Sequence, residues 1–428
     1  MKATAERSEG PQRGSKWLPA LLVTAGVLVY ANSLSGPFIF DDDNSITENP
    51  YIRRLWPIWE AMSAPHQATV AGRPVVSLSL ALNYAVGGLD VRGYHIFNVA
   101  IHILCSFVLF GIVRRTLVGP VLSASYSANA AWLAGAVALI WLVHPLVTES
   151  VNYVIQRTEL LMALFYLLTL YGALRGWSSA RPRGWFVGAV VACALGMGSE
   201  EVMVSAPVVV LLYDRLFVSG SFGGALRRHR GLYAGLAGTW IILAALMLPG
   251  PRSDSVGFDH DVAALDYLCT QAGVILWYLR LAFWPDALVI SYNDWPVVHS
   301  FAESAPEILA ILALLGGTGW ALWRKHGLGF LGVCFFLILA PTSSFVPIVT
   351  EVAAERRVYL PLAAVVGATV IGAHAAICHM VSRRPSQSRS LSAIQGGLAI
   401  AVAGLLGWGT VERNRDYRSA TAIWGDAA

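Results

Sequence analysis

The apolar residues of this chain come in runs of roughly 17–23, the length that crosses a hydrocarbon core of about 30 Å at 1.5 Å per residue. Eleven such runs are read as spans, at about 17–35, 94–113, 130–146, 158–175, 185–199, 202–218, 231–249, 306–323, 328–345, 358–380 and 392–411. The polar segments between them predict large outer loops at 36–93 and 250–305, smaller ones at 147–157 and 346–357, and a C-terminal tail. One more run, Asp266 to Pro285, is long enough to cross, but a crossing there would reverse the charge pattern that follows. It is therefore read as a helix lying in the outer interface, anchored by Trp277, Tyr278 and Trp284. The first span, after a basic N-terminus and without a small-residue cleavage site, reads as an uncleaved signal anchor. The pattern predicts an all-α polytopic membrane protein.

Charge fixes the orientation. With a cytoplasmic N-terminus the short inner segments hold 18 of the 30 Lys and Arg residues, as the positive-inside rule requires, and nearly all the carboxylates fall on the other side. Composition agrees: 56% of residues are hydrophobic and 13% charged, against roughly 25% charged in soluble proteins, and a net charge of +4 gives no reason to expect a nucleic-acid partner. The five cysteines lie inside apolar runs without metal-ligand spacing and read as packed hydrophobes.

Polar residues at membrane depth mark sites or pathways. In "YHIFNVAIHILCS", His95, Asn98, His102 and Ser106 share one helical face, which suits either helix-to-helix hydrogen bonding or a substrate path. In "HPLVTESVNYVIQRTELL", Glu149, Asn152, Gln156 and Glu159 would share another, with Arg157 beside it. "GMGSEEVMVSAP" sets Glu200 and Glu201 in a hairpin between spans. In "PTSSFVPIVTEVAAERRVYLPL", Glu351, Glu355, Arg356 and Arg357 lie between two spans on the outer side; the guanidinium pair suits bidentate binding of a lipid-linked phosphate, or simple salt bridges. In "FIFDDDNSITENP", Asp41, Asp42 and Asp43 follow the first span, where they suit a divalent cation, a general base with supporting acids, or a solvated loop.

These segments, in this order and together with "GRPVVSLSLALNYAVGGLDVRGYHIFNVAIH" and "LWYLRLAFWPDALVISYNDWP", resemble the transmembrane and tetratricopeptide-repeat O-mannosyltransferases and their bacterial relatives, of the GT-C glycosyltransferase superfamily. The resemblance implies a GT-C-like bundle over residues 1–411 and the lead-in to a tetratricopeptide repeat over 412–428. It implies transfer of mannose or another hexose from a polyprenyl-phosphate donor to a hydroxyl acceptor, Ser or Thr of an exported protein, with inversion. The expected place is a bacterial inner membrane with the site facing the periplasm, or the lumenal face of the endoplasmic reticulum. No cofactor or metal is required. By resemblance Asp41 and Asp42 match the catalytic acidic pair, Arg73 and Pro74 an Arg-Pro motif, His144 and Glu149 a His-Pro…Glu motif, Glu201 the acid of a Lys-Glu pair, and Glu355 with Arg356 a Glu-Arg motif. The chain departs from that pattern at Glu200, where Lys is expected. Asp43, Glu149 and Glu201 are the supporting acids; Arg356, Arg357 and Arg73 the phosphate ligands; His95, His102, His144, Arg157 and Glu355 the substrate-pocket candidates. The other function classes considered are a lipid-linked-sugar transporter or flippase and a non-enzymatic anchor for a repeat domain.

Overall fold

The computed structural model describes residues 17–428 except 66–67, 249–262, 293, 345, 349, 382–387, 420–421 and 424–428. The basic segment 1–16, the start of the second large outer loop, Arg383, Arg384 and the last five residues lie outside the described residues.

The described chain is helical, without a β-strand. Every predicted span coincides with an apolar helix. Among the described residues, six helices are long and apolar enough to cross a membrane alone, or up to eight when bent pairs such as Ala130–Leu142 with Pro145–Asn152 are each taken as one. Leu18–Tyr30, Pro182–Met197 and Gly327–Leu339 are shorter apolar helices at the other predicted positions. Helix Ala305–Trp323 buries no residue although its sequence is apolar nearly all round. In water such a surface would be a large liability; in hydrocarbon it is the ordinary lipid-facing face.

Local chemistry sets the helix starts. Asp90 caps Val91–Val118 by accepting the Arg92 N–H at 3.1 Å, and proline opens Pro74–Gly87, Pro182–Met197 and Pro361–Val381, where its missing N–H costs nothing. The predicted polar stripe on Val91–Val118 is wholly buried. Asn98 near its start donates to the Val151 and Val154 carbonyls at 3.3 and 3.1 Å. Arg115, near its other end, lies over the Tyr171 ring late in helix Arg157–Trp177. The bundle therefore has two chemically distinct ends. The acidic loops gather at one; Arg115, Arg175 and Lys325, whose Nζ donates to the Gly220 carbonyl at 3.0 Å, lie at the other.

Helix Ala264–Phe283, the run read as interfacial, has polar contacts at the acidic end. Tyr267 Oη donates to the Thr342 carbonyl, Gln271 Nε2 to Val352 at 2.9 Å and Tyr278 Oη to Ala354 at 2.9 Å. These contacts, spread along three turns, fasten the helix to that end.

The end of the last helix, Ser388–Arg413, is fastened there too. Asn414 Oδ1 accepts from Asn152 Nδ2 at 2.7 Å, and Asn414 Nδ2 donates to Asn32 Oδ1 and the Val29 carbonyl, each at 2.8 Å. Gly36 packs so closely on the Tyr417 carbonyl that a Cβ would come within 2.8 Å. As far as Arg418, the segment expected to lead into a repeat is thus docked against the roots of two acidic loops. Asn414→Ala should cost about 1–3 kcal/mol, the penalty of leaving buried amide partners unpaired, read as a lower midpoint of thermal unfolding in detergent. The exposed control Asn44→Ala should leave that midpoint unchanged.

Candidate active site

The triple Asp is resolved by burial. Phe40 adopts φ 48°, a left-handed conformation uncommon outside glycine, and the following carboxyls then part ways. Asp42 is fully buried: Oδ2 accepts the Ile39 N–H at 3.0 Å and Oδ1 the Ile155 N–H at 2.8 Å, joining the loop after the first helix to a segment 113 residues away. Burial pushes its carboxyl up to about 8, against those two N–H donors and with the Asp41 and Asp43 charges adding to the rise. Asp43 is exposed and accepts the Thr47 hydroxyl at 3.0 Å. Asp41 is exposed, its side chain bound to nothing described, while its backbone N–H donates to Tyr153 Oη at 2.9 Å. Both Asp42 oxygens are thus hydrogen-bonded within the fold, while Asp41 and Asp43 lie exposed.

Glu149 is fully buried and holds Arg356 twice: Oε2 accepts its backbone N–H at 2.8 Å and Oε1 its Nη1 at 2.7 Å, across 207 residues of chain. Arg356 Nη2 donates to Glu351. Burial alone would raise the Glu351 carboxyl, but the Arg356 charge beside it holds it below its usual range. Arg357 is spent differently, donating to the Val352 carbonyl at 3.1 Å and to that of Glu351; it holds the loop's shape. Glu355 Oε1 accepts the Val289 N–H at 2.7 Å and the Tyr292 hydroxyl at 3.0 Å, and burial pushes its carboxyl up to about 8.

A second cationic clamp faces the hairpin at 200–201. Arg73 Nη2 donates to Glu200 at 2.8 Å and Glu201 at 3.3 Å, and Nη1 to the Thr69 carbonyl. The pair Glu200-Glu201, which departs from the expected Lys-Glu, thus draws its cation from a segment 127 residues away. Burial drives Glu200 well above the usual carboxylate range even against that cation.

Four pocket candidates make hydrogen bonds within the fold, and His95 Nδ1 is left buried without a partner among the described residues. His102 places Nδ1 at 2.7 Å from Tyr359 Oη and Nε2 at 2.9 Å from the Leu142 carbonyl. His144 caps the turn Pro145–Val147, with Nδ1 accepting from Leu146 and Nε2 3.1 Å from the Ala282 carbonyl. His95 Nε2 meets the Gly36 carbonyl at 3.1 Å. Arg157, fully buried, donates to Asn98 Oδ1, the Ser79 carbonyl and the Tyr94 carbonyl. These side chains lock helices together, which is the hydrogen-bonding alternative for the polar stripe.

Glu149 and Glu159 do not share one helical face, because a 3-10 turn at Val154–Gln156 separates helix Thr148–Asn152 from Arg157–Trp177. They converge nonetheless. Glu159 is 6% exposed and has the charges of Arg356, Arg73, Glu149 and Glu201 acting on it. Tyr153 was missed as a site residue; it stands within Coulombic reach of Asp41, Asp42 and Arg356, and only its position inside the acidic motif could have signalled it.

Remote segments thus bring Asp41, Tyr153, Glu149, Glu159, Arg356 and Arg73 to one end of the bundle, in the motifs that carry the resemblance. No protein-family model matches the chain. Its sequence is 26% identical over 410 residues to protein O-mannosyl-transferase TMTC4 of Homo sapiens, covering 81% of this chain and 54% of that protein. It is 30% identical over 319 residues to protein O-mannosyl-transferase TMTC2 of Mus musculus, covering 65% of this chain and 36% of that protein. The chain is similar in sequence to both of these proteins. It spans about a third to a half of the length of these relatives. Among solved structures, arabinosyltransferase EmbB from Mycobacterium smegmatis matches all of this chain and 44% of its own, at 15% identity and a TM-score of 0.41.

Proposed function

We propose that this chain is the membrane-embedded part of a glycosyltransferase that moves a hexose, mannose by analogy with its relatives, from a polyprenyl-phosphate donor to a Ser or Thr hydroxyl of an exported protein. The observation that carries this reading is an exposed carboxylate, Asp41, at the same end of the bundle as two arginines, Arg356 and Arg73, that carboxylates from other loops hold in place.

The acceptor hydroxyl attacks the anomeric carbon as the bond from that carbon to phosphate oxygen breaks. The electron pair leaves with the polyprenyl phosphate, and the acceptor proton passes to Asp41. A lipid phosphate is a weak base and needs no general acid; it needs its developing charge met, which Arg356 does from a preorganised position. A carboxylate is a far weaker base than an alkoxide and does not deprotonate serine in the ground state. It takes the proton in the transition state, after attack on an oxocarbenium-like centre has acidified the hydroxyl. Attack from the face opposite the phosphate inverts the configuration. Arg356 and Arg73 already supply cations, so the reaction proceeds without a divalent metal. The acidic end is the outer one, by the positive-inside argument, facing the periplasm of a bacterial inner membrane.

Sealed, right-side-out spheroplast vesicles carrying polyprenyl-phosphate-[³H]mannose test all of this at once. Label should pass to a membrane-impermeant Ser/Thr peptide, with or without EDTA. Transfer only to an acceptor trapped inside reverses the sidedness, loss with EDTA and return with magnesium or manganese makes the enzyme metal-dependent, and no transfer on either side removes the reading.

A further inference from the structure

Outside this cluster, the outer end carries a cavity of about 170 Å³ between helix Ala264–Phe283, the loop at 295–298 and the start of helix Ala305–Trp323. Cys269, Thr270, Trp295, Glu303, Ser304 and Glu307 are among its lining residues. Two of these present polar atoms without a partner. Ser304, 3% exposed, stands at the N-cap of Ala305–Trp323 yet makes no capping bond, and its Oγ has no hydrogen-bond partner. Glu307 Oε2, one turn further on, is buried and equally alone. Thr270 Oγ1, by contrast, is used within the fold, donating to the Asp266 carbonyl at 2.7 Å and accepting the Val298 N–H at 2.9 Å. Buried polar atoms are nearly always paired, so these two point to an occupant.

The chemistry narrows what that occupant is. Glu303 and Glu307 repel an anion. An ammonium offers only donors, so it would meet Glu307 and leave the Ser304 proton with no acceptor. A polyhydroxylated ring satisfies both atoms, one hydroxyl donating to Glu307 Oε2 and another accepting from Ser304, while its C–H face lies on the Trp295 indole. The volume falls below the roughly 300 Å³ of pockets for drug-sized ligands, which suits one ring. We infer that this cavity is a pyranose-binding subsite separate from the reacting centre. Its connection to that centre is short: the Trp295 and Tyr292 rings are 5.9 Å apart, and Tyr292 Oη donates to Glu355, the neighbour of Arg356 in sequence. The subsite therefore suits a sugar already attached to an acceptor, or the product of a previous transfer. Its binding of a free sugar does not depend on the chain being a transferase.

Saturation-transfer NMR of the detergent-solubilised full chain with methyl α-mannopyranoside and methyl α-glucopyranoside tests it. At least one glycoside should give a signal that survives Asp41→Asn. Its apparent affinity should fall about tenfold or more in Glu307→Gln and in Trp295→Ala, the size expected for losing one hydrogen bond to a charged group. Trp295→Phe, which keeps an aromatic face, should recover most of the loss and guards against a merely misfolded alanine variant. The inference is overturned by absence of signal from both glycosides, which leaves the cavity to water, or by a signal indifferent to Glu307→Gln and Trp295→Ala but lost in Asp41→Asn, which puts the bound sugar at the reacting centre.

Discussion

Asp41→Asn lowers turnover by about 10²–10⁴, the range for loss of a general base, while donor affinity stays within about a factor of three of wild type. The amide keeps the shape of the side chain but cannot take the acceptor proton, and nothing described in the fold leans on the Asp41 carboxylate, so the defect should fall on kcat alone. The neighbours should behave differently because they are placed differently. Asp43, exposed and engaged only with Thr47, is the least sensitive of the three. Asp42 acts through folding. Its carboxyl is raised from 3.8 to about 8 by burial, so the folded chain holds a proton there that the unfolded chain releases. That contribution to stability is fully present below pH 3.8 and is lost as pH rises toward 8. Asp42→Asn should flatten the decline of stability across that window, measured by thermal unfolding at a series of pH values. Equal kcat losses for all three asparagines, with unchanged unfolding profiles, would instead describe carboxylates that act as a set.

The parts of this molecule that were legible in the sequence are those written in local period and local charge. Spans showed as long apolar runs because a backbone in hydrocarbon must satisfy its hydrogen bonds within the helix. The stripe on Val91–Val118 was visible from its spacing, but whether those side chains face a substrate or another helix depends on what packs opposite. The structure answers with Tyr359, Leu142, Val151 and Gly36. The site was half legible. Its acids and arginines stood out as costly at a membrane surface, but the partnerships that give them roles, Glu149 with Arg356 and Arg73 with Glu200, span 207 and 127 residues and leave no local trace. The turn that exposes Asp41 and buries Asp42 depends on a left-handed Phe40, which no pattern of residue types announces. The face shared by Glu149 and Glu159 failed for a related reason: periodicity presumes an unbroken helix, and the chain turns at Val154–Gln156.

Arg356→Ala is expected to weaken donor binding about ten- to hundredfold, the loss of a charge-assisted contact worth about 1.5–3 kcal/mol, and also to destabilise the fold. The second effect arises because Glu149 is fully buried and would keep only the residue-356 backbone N–H as a partner. Removing one member of a buried pair costs about 3–5 kcal/mol, chiefly from the charge left behind. The two effects are separable by changing that charge. Glu149→Gln in the Arg356→Ala background neutralises the stranded carboxylate, so the double variant should regain most of the lost stability and none of the lost donor affinity. Arg356→Lys should keep the charge but lose the fork that reaches Glu149 and Glu351 together, giving intermediate binding. Arg357→Ala should leave donor affinity close to wild type, since its guanidinium is committed to the Val352 and Glu351 carbonyls. The checks are thermal unfolding for stability and equilibrium binding of a polyprenyl-phosphate sugar for affinity, on the same preparations. If donor affinity returns together with stability in the double variant, Arg356 is a structural partner of Glu149 and the phosphate is met elsewhere, with Arg73 the cation left to meet it.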